Sequence, residues 1–153
     1  MFSKGCDVDQ DLVGKTKQRY RLEDQVGFLL RLAGQRHAII FQQFAPMDLT
    51  PTQFSAMVQL AKMGECSQNE LGRRTAMDVA TIKGVIDRLR QRGLVEVRPD
   101  PTDKRRSLLS LGDVPKDVEQ MLHAAGARIT EETLKPLTAS ESKTLQKLLR
   151  KIT

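Results

Sequence analysis

The charged turn within residues 98–111 is the feature that most restricts what this chain can fold into. The stretch reads RPDPTDKRRSLLSL, and it contains six charged residues and two prolines. The runs LVEVR and RSLLSL have the composition of short β-strands, whereas Pro and Asp favour a turn between them. The sequence therefore predicts a β-hairpin with its charges at the tip.

Two helices with well-marked ends precede the hairpin. In LTPTQFSAMVQLAKMG, Thr50 and Gln53 have the spacing of a capping box, and Gly64 is a C-terminal stop signal. The run SQNELGRR opens with a second such pair, Ser67 and Glu70, and predicts a very short helix.

A third helix is predicted over residues 78–92, with Asp78 as its N-cap and Gly93 as its stop. Its apolar residues recur at helical spacing and are expected to face the core: Ile82, Val85, Ile86 and Leu89. A short helix, a turn, a longer helix and a hairpin follow one another in a winged helix-turn-helix domain, whose second helix enters the major groove of DNA. We therefore predict such a domain over residues 49–112.

Bulk composition agrees with a partner of negative charge. The formal net charge is +6, and residues 67–111 hold ten Lys/Arg against six Asp/Glu, which is +4 of that excess. No apolar run approaches the roughly 18 residues of a membrane span, and no export signal is recognisable, so we expect a cytoplasmic protein without membrane contact. With two histidines and no phosphate-binding loop or metal-ligand spacing, we expect no enzyme activity, cofactor or metal.

Residues 49–111 resemble the MarR family of bacterial transcriptional regulators. The most specific pieces are LTPTQF at the start of one helix, DRLRQRGLVEVR between helix and strand, and DPTDKRR in the wing. The resemblance implies a homodimer with interlocking terminal helices, a near-palindromic operator in double-stranded DNA, and release by a small aromatic acid or phenol. Such a regulator is expected to be a bacterial repressor.

The resemblance also sets the expected architecture. The fold class is mainly α with a small β-hairpin wing, that is, a winged helix-turn-helix lobe plus a helical dimerisation arm. We expect a flexible tail at 1–20, dimerisation helices within 21–48 and 113–153, and the DNA-binding domain at 49–112. Family members usually close the last wing strand with Leu-Thr, whereas Gly112 and Asp113 follow Leu111 here, so we expect Asp113 to cap the next helix.

Candidate DNA contacts are the polar and small residues of the two short helices and the wing. They are Ser67, Gln68, Arg73, Arg74, Asp78, Val79, Ala80, Thr81, Lys83, Gly84, Arg88, Lys104, Arg105 and Arg106. Gly84 equally fits a helix-packing position. Asp100 and Asp103 are predicted to hold the wing's shape by bonding turn amides and by pairing with Arg98 or Arg105.

Candidate effector residues come from the long first helix and from the second helix. Arg36 and His37 would meet a carboxylate, and Phe54, Met57 and Met63 would supply apolar walls, although core packing explains these residues as well.

Two other functions remain open from the sequence. One is a thiol-based oxidant-sensing repressor that uses Cys66, which directly precedes the predicted N-cap Ser67, or Cys6. The other is a nucleic-acid packaging protein that binds any duplex equally.

Overall fold

A computed structural model describes residues 20–103 and 105–153, so predictions for the N-terminal tail, Cys6 and Lys104 lie outside it. The chain divides into two compact units, Met1–Gln35 and Arg36–Thr153, and the strands lie in the second. None of the helices in the described ranges has the length and apolar character that crossing a bilayer requires.

The described residues are mostly helical, with a small antiparallel sheet. The helices are α1 Val26–Phe44, α2 Pro51–Met63, α3 Gln68–Arg74, α4 Val79–Gln91, α5 Val118–Leu134 and α6 Ala139–Ile152. The strands are β1 Glu65–Ser67, β2 Val95–Pro99 and β3 Ser107–Leu111, in the order β1-β3-β2. The predicted fold class is confirmed. The predicted two-stranded hairpin is incomplete, because β1 adds a third strand.

The helix ends follow the local chemistry of the sequence at several points. Thr50 and Gln53 form the reciprocal capping box of α2, and Thr138 and Glu141 form that of α6. Gly64 ends α2 with a φ of 75°, a left-handed conformation that a side chain would disfavour.

The start of α5 differs from the prediction. Asp113 does not cap this helix, because its backbone N–H donates to the carbonyl of Gly93 at 2.8 Å and extends the pairing of the wing. Gly112 donates in the same way to Leu94 at 2.9 Å, and a Cβ on Gly112 would lie 2.2 Å from the Gly93 carbonyl oxygen. This close approach delays α5 to Val118, with Asp117 as its N-cap.

The core of the second unit lies between α2, α3, α4, α5 and the sheet. Its fully buried members include Met57, Leu60, Leu71, Ile82, Val85, Leu89, Leu109 and Leu122. Burial of this kind is worth about 1.5–3 kcal/mol for each large side chain. Because α4 and the wing strands β2 and β3 contribute Leu89, Val95 and Leu109 to this core, the core fixes the positions of both α4 and the wing. The division into tail, arm and DNA-binding domain stays a prediction.

Candidate nucleic-acid interface

Helix α4 buries one face and exposes the other. Ile82, Val85, Ile86 and Leu89 are all buried, as the helical spacing predicted. Val79, in the first turn, is nevertheless 69% exposed, and Ala80, Thr81 and Lys83 are exposed beside it. The first half of α4 therefore presents Val79, Ala80, Thr81 and Lys83 to solvent.

The first turn of α4 is held by Asp78. Its Oδ1 accepts a hydrogen bond from the backbone N–H of Thr81 at 2.7 Å, and its Oδ2 accepts one from the Thr81 hydroxyl at 2.9 Å. These bonds to the charged form lower the pKa of Asp78 below its usual range. Asp78 thus fixes the turn that carries Val79 and Ala80.

The middle of α4 is open on its outer side. A Cβ added to Gly84 would meet only Nη2 of Arg88, at 3.8 Å, so no neighbouring helix packs against this glycine within the described residues. Lys83 pairs with Asp87 at 2.9 Å, and both side chains are largely exposed. Because an exposed pair of this kind is worth about 0.3–0.5 kcal/mol, Lys83 can exchange Asp87 for a stronger anionic partner at little cost.

The short helix α3 orders two arginines at its end. The Ser67 side chain accepts a hydrogen bond from the N–H of Glu70 at 3.3 Å, so Ser67 is the predicted N-cap. The predicted capping box is nevertheless incomplete, because the Glu70 carboxylate turns to Arg73 and to Arg74, whose Nε lies 2.8 Å away. The two arginines lower the pKa of Glu70, and the carboxylate fixes where both guanidinium groups lie.

Two carboxylates bond the turn amides of the wing, whereas neither forms the predicted ion pair with Arg98 or Arg105 in the described residues. Asp100 is 7% exposed, and its Oδ1 accepts hydrogen bonds from the N–H and hydroxyl of Thr102 at 2.8 and 2.7 Å. These bonds lower the pKa of Asp100. Asp103 accepts a bond from the N–H of Arg105 at 3.0 Å. Arg98 pairs instead with Glu65, which the sequence analysis did not anticipate.

The start of α3 and the end of the wing turn face a common cleft of about 210 Å³. Its lining residues are Ser67, Gln68, Asn69, Arg105, Arg106 and Ser107. Four of them were candidate DNA contacts, whereas Asn69 and Ser107 were missed because nothing in their local sequence distinguishes them from ordinary surface residues. The cleft lining contains two guanidinium groups and no carboxylate.

The five candidate effector residues do not meet in one cavity. Arg36 donates to the carbonyls of Glu132 and Thr133 near the end of α5, at 2.9 and 2.5 Å, and His37 Nδ1 lies 2.9 Å from the Thr133 hydroxyl. Met57 is fully buried, and Met63 packs against the same core.

Phe54 has a different environment from the other four. It makes an edge-to-face contact with Phe41, with ring centroids 5.5 Å apart. It also lines a cavity of about 330 Å³ together with Ser55, Val58, Gln59, Arg74, Thr75 and Ala76. An aromatic wall with an arginine on the lining suits a small aromatic anion.

Cys66 lies in β1 and is buried. Burial raises the pKa of its thiol, and the neighbouring Glu70 carboxylate raises it further. A thiol in this environment is mainly protonated at neutral pH and reacts slowly with oxidants, since the thiolate is the reactive form. This surrounding does not favour Cys66 as an oxidant sensor.

Comparison with known proteins identifies the family. Residues 47–106 match the model of the MarR family. The chain is 40% identical over 134 residues to the HTH-type transcriptional repressor NicR of Pseudomonas putida, and the match covers 87% of this chain and 85% of NicR.

Two solved structures share the fold at high identity. A probable transcriptional regulator from Pseudomonas aeruginosa is 47% identical with a TM-score of 0.80, covering 87% of this chain and 100% of that one. BpsR of Bordetella bronchiseptica, whose DNA binding is regulated by 6-hydroxynicotinic acid, is 39% identical with a TM-score of 0.77, covering 87% and 96%. The chain therefore belongs to the MarR family of winged helix-turn-helix transcriptional regulators.

Proposed function

We propose that this protein is a sequence-specific repressor that binds double-stranded DNA and is released by a small aromatic acid or phenol. The observation that carries the proposal is that α4 buries one apolar face and, in its first half, exposes Asp78, Val79, Ala80, Thr81 and Lys83. The basic wing follows this helix directly in the chain. An exposed helix face beside a basic hairpin fits insertion into the major groove with the wing on the DNA backbone or in the minor groove.

Base readout is assigned to the exposed half of α4. Lys83 is suited to a guanine edge or a phosphate, and Thr81 to a phosphate or a thymine methyl group. Gly84, with open space over it, allows close approach of the backbone to DNA. Val79 and Ala80 supply apolar contacts, and Arg88 lies one turn further along the helix.

Phosphate contacts are assigned to the basic residues around α4. Arg73 and Arg74 end α3, where Glu70 orders them, and Arg105 and Arg106 lie in the wing. Lys104 is proposed to act with the two wing arginines. These contacts set position and affinity rather than sequence preference.

We further propose a homodimer formed through 21–48 and 113–153. The apolar residues Leu145, Leu148, Leu149 and Ile152 of α6 are 38–68% exposed and recur at helical spacing. Such a stripe needs a partner surface, which a second copy of the chain supplies. Two lobes reading a palindrome place their recognition helices about 34–36 Å apart, one turn of DNA.

The effector is proposed to be a hydroxylated aromatic carboxylic acid. Similarity to BpsR supports this class and makes 6-hydroxynicotinic acid the first compound to test. We place the ring against Phe54 and Val58 and the carboxylate on Arg74, since the guanidinium of Arg36 already bonds α5 carbonyls. His37 contacts Phe41, which contacts Phe54, so it borders the proposed site.

Release by the effector is proposed to be a population shift. A carboxylate at Arg74 competes with Glu70 for that guanidinium and so alters the end of α3, directly before the turn into α4. The ligand changes DNA affinity only by its differential binding to the two arrangements, typically about 1–3 kcal/mol of coupling.

The test is fluorescence anisotropy on a duplex from the region upstream of the protein's own gene and on a scrambled duplex. Binding is measured at two salt concentrations, with and without a panel of small aromatic acids. We expect preference for the native duplex, a loss of about 10³–10⁵-fold between 50 and 200 mM salt for six to ten phosphate contacts, and release by one acid. If the protein binds both duplexes equally at both salt concentrations, and no acid changes the binding, the result favours a packaging protein. Indifference to all acids refutes only the effector.

A further inference from the structure

An ion pair joins the two outer strands of the sheet. Arg98 of β2 donates from Nε to Oε2 of Glu65 at 2.9 Å and from Nη2 to Oε1 at 2.9 Å and Oε2 at 2.6 Å. Because β3 lies between β1 and β2, this contact spans the whole width of the sheet. A bidentate arginine–carboxylate pair fixes the direction of both side chains more firmly than a single contact does.

The register of the sheet shows what the ion pair connects. Ser67 and Arg98 both align with Leu108 of β3, and Glu65 lies two residues before Ser67 on the same face of β1. Strand β1 leads directly into α3, whereas β2 leads directly into the wing turn. The ion pair therefore ties the strand before α3 to the strand before the wing turn.

Residues at the end of β1 and after β2 line the 210 Å³ cleft. Ser67, Gln68 and Asn69 come from the end of β1 and the start of α3, and Arg105, Arg106 and Ser107 come from the wing turn and the start of β3. Strand β1 pairs with β3 through only three residues, so the backbone ladder alone gives the wing a short attachment to α3. The width of the cleft depends on how the wing is held against β1.

The chemistry of the cleft fits a phosphate of the DNA backbone. Guanidinium groups bind phosphate oxygens with paired, charge-assisted hydrogen bonds, and amide and hydroxyl side chains donate further bonds. We propose that Glu65 is a positioning residue for DNA binding: through Arg98 it holds the wing against the start of α3, so that the cleft between them accepts one backbone phosphate. This inference rests on the proposed function, since it concerns the same DNA complex.

For removal of the Glu65 carboxylate, the proposal predicts a change in DNA affinity opposite in sign to that expected from net charge alone. Glu65 is a carboxylate on a surface that faces a polyanion, so its removal by itself raises the attraction of the protein for DNA. If Glu65 holds the wing in place, Glu65→Gln instead lowers DNA affinity. Both side chains of the pair are partly exposed, 53% and 38%, so the expected loss is modest, about 2- to 5-fold for each lobe.

The salt dependence gives a second readout that a general loss of stability does not change. Each phosphate contact contributes about 0.9 to the slope of log K against log salt concentration. Glu65→Gln removes no positive charge, yet we expect this slope to fall by about 0.9 per lobe because the cleft no longer closes on its phosphate. Glu96→Gln is the matched control, because Glu96 is an exposed carboxylate on the same sheet face and aligns with Ser110, as Glu65 does.

The experiment uses the full chain and the duplex that it enriches from a random-sequence library. Anisotropy is measured over a salt series for the wild type, Glu65→Gln, Glu96→Gln, Arg98→Glu, Glu65→Arg and the double variant Glu65→Arg with Arg98→Glu. Circular dichroism confirms that each variant is folded. We expect Glu65→Gln to bind DNA more weakly and with a smaller salt slope, and Glu96→Gln to keep the wild-type affinity. The double variant, which restores the ion pair with reversed charges, should bind more tightly than the added effects of its two single changes predict.

The outcomes separate this inference from the proposed function. Should Glu65→Gln bind the enriched duplex as tightly as the wild type or more tightly, with the same slope, the positioning role is overturned while sequence-specific DNA binding stands. Should the wild type enrich no sequence at all, the proposed function fails, and the inference fails with it.

Discussion

Replacing Asp78 by Ala tests whether the first turn of α4 depends on its N-cap. In the structure the carboxylate accepts two hydrogen bonds from Thr81, at 2.7 Å from the N–H and 2.9 Å from the hydroxyl. Loss of an N-cap side chain costs about 0.5–2 kcal/mol, and at this exposed position we expect about 1 kcal/mol. That corresponds to a fall in Tm of about 2–4 °C for a chain of this size.

Asp78→Asn is the matched control, since Asn caps helices as well as Asp does. It retains an oxygen acceptor and removes the charge. We expect it to keep most of the stability that Asp78→Ala loses. Denaturant unfolding at one protein concentration measures both variants, because association with a second chain makes stability depend on concentration.

The same pair of variants separates two effects on DNA binding. Both remove a carboxylate from the surface proposed to face DNA, so both are expected to bind a scrambled duplex more tightly. Only Asp78→Ala frays the turn that carries Val79 and Ala80, so only this variant is expected to lose preference for the enriched duplex. Equal stability and equal preference in the two variants would refute the idea that the cap, rather than the charge, organises this turn.

The core and the wing carry three further predictions. Gly112→Ala places a Cβ 2.2 Å from the Gly93 carbonyl oxygen and should lower the free energy of unfolding by about 1–3 kcal/mol. Denaturant unfolding measures this loss, and an unchanged midpoint would contradict the close approach. The Cys66 thiol, with its raised pKa, should resist iodoacetamide until the protein unfolds, and rapid labelling of the native protein would reopen oxidant sensing. The pKa of Asp100 is lower in the folded protein than its value of about 3.9 in the unfolded chain. The ionised carboxylate therefore stabilises the fold fully above the unfolded pKa, and this contribution is lost as the pH falls through the folded pKa. The wild type should lose more stability between about pH 5 and 2 than Asp100→Asn does.

The order of helices was predictable because its signals are local. Caps at Thr50, Ser67 and Asp78 act within one turn of helix, and each is found where the residue types predict it. The buried face of α4 followed from spacing alone. The family to which the chain belongs is one of transcriptional regulators.

The errors arose where the outcome depends on contacts distant in the chain. Strand β1 has three residues, too few for an alternating pattern, and it exists because β3 pairs with it. The delayed start of α5 depends on backbone bonds from Gly112 and Asp113 to the turn after α4. Glu70 pairs with Arg73 rather than completing a capping box, and Arg98 pairs with Glu65, because each side chain bonds to the nearest of several neighbouring charges.

The proposed effector site was the least predictable part for the same reason. A cavity is defined by side chains from several elements, so spacing along α1 and α2 could not show which apolar residues border open space. Met57 belongs to the core, whereas Phe54 borders a cavity. Arg74 entered the proposed site only because the fold places the end of α3 beside α2.

Selection of DNA from a random-sequence library tests the central claim most directly, because the protein itself chooses the duplex that it binds. If α4 reads bases from two lobes of a homodimer, wild-type protein should enrich an inverted repeat with half-sites centred about 10–10.5 base pairs apart. A variant with Lys83→Ala should relax the preference at one position within each half-site. Enrichment of no sequence, or of one unchanged by substitutions in the exposed half of α4, would contradict base readout by this helix.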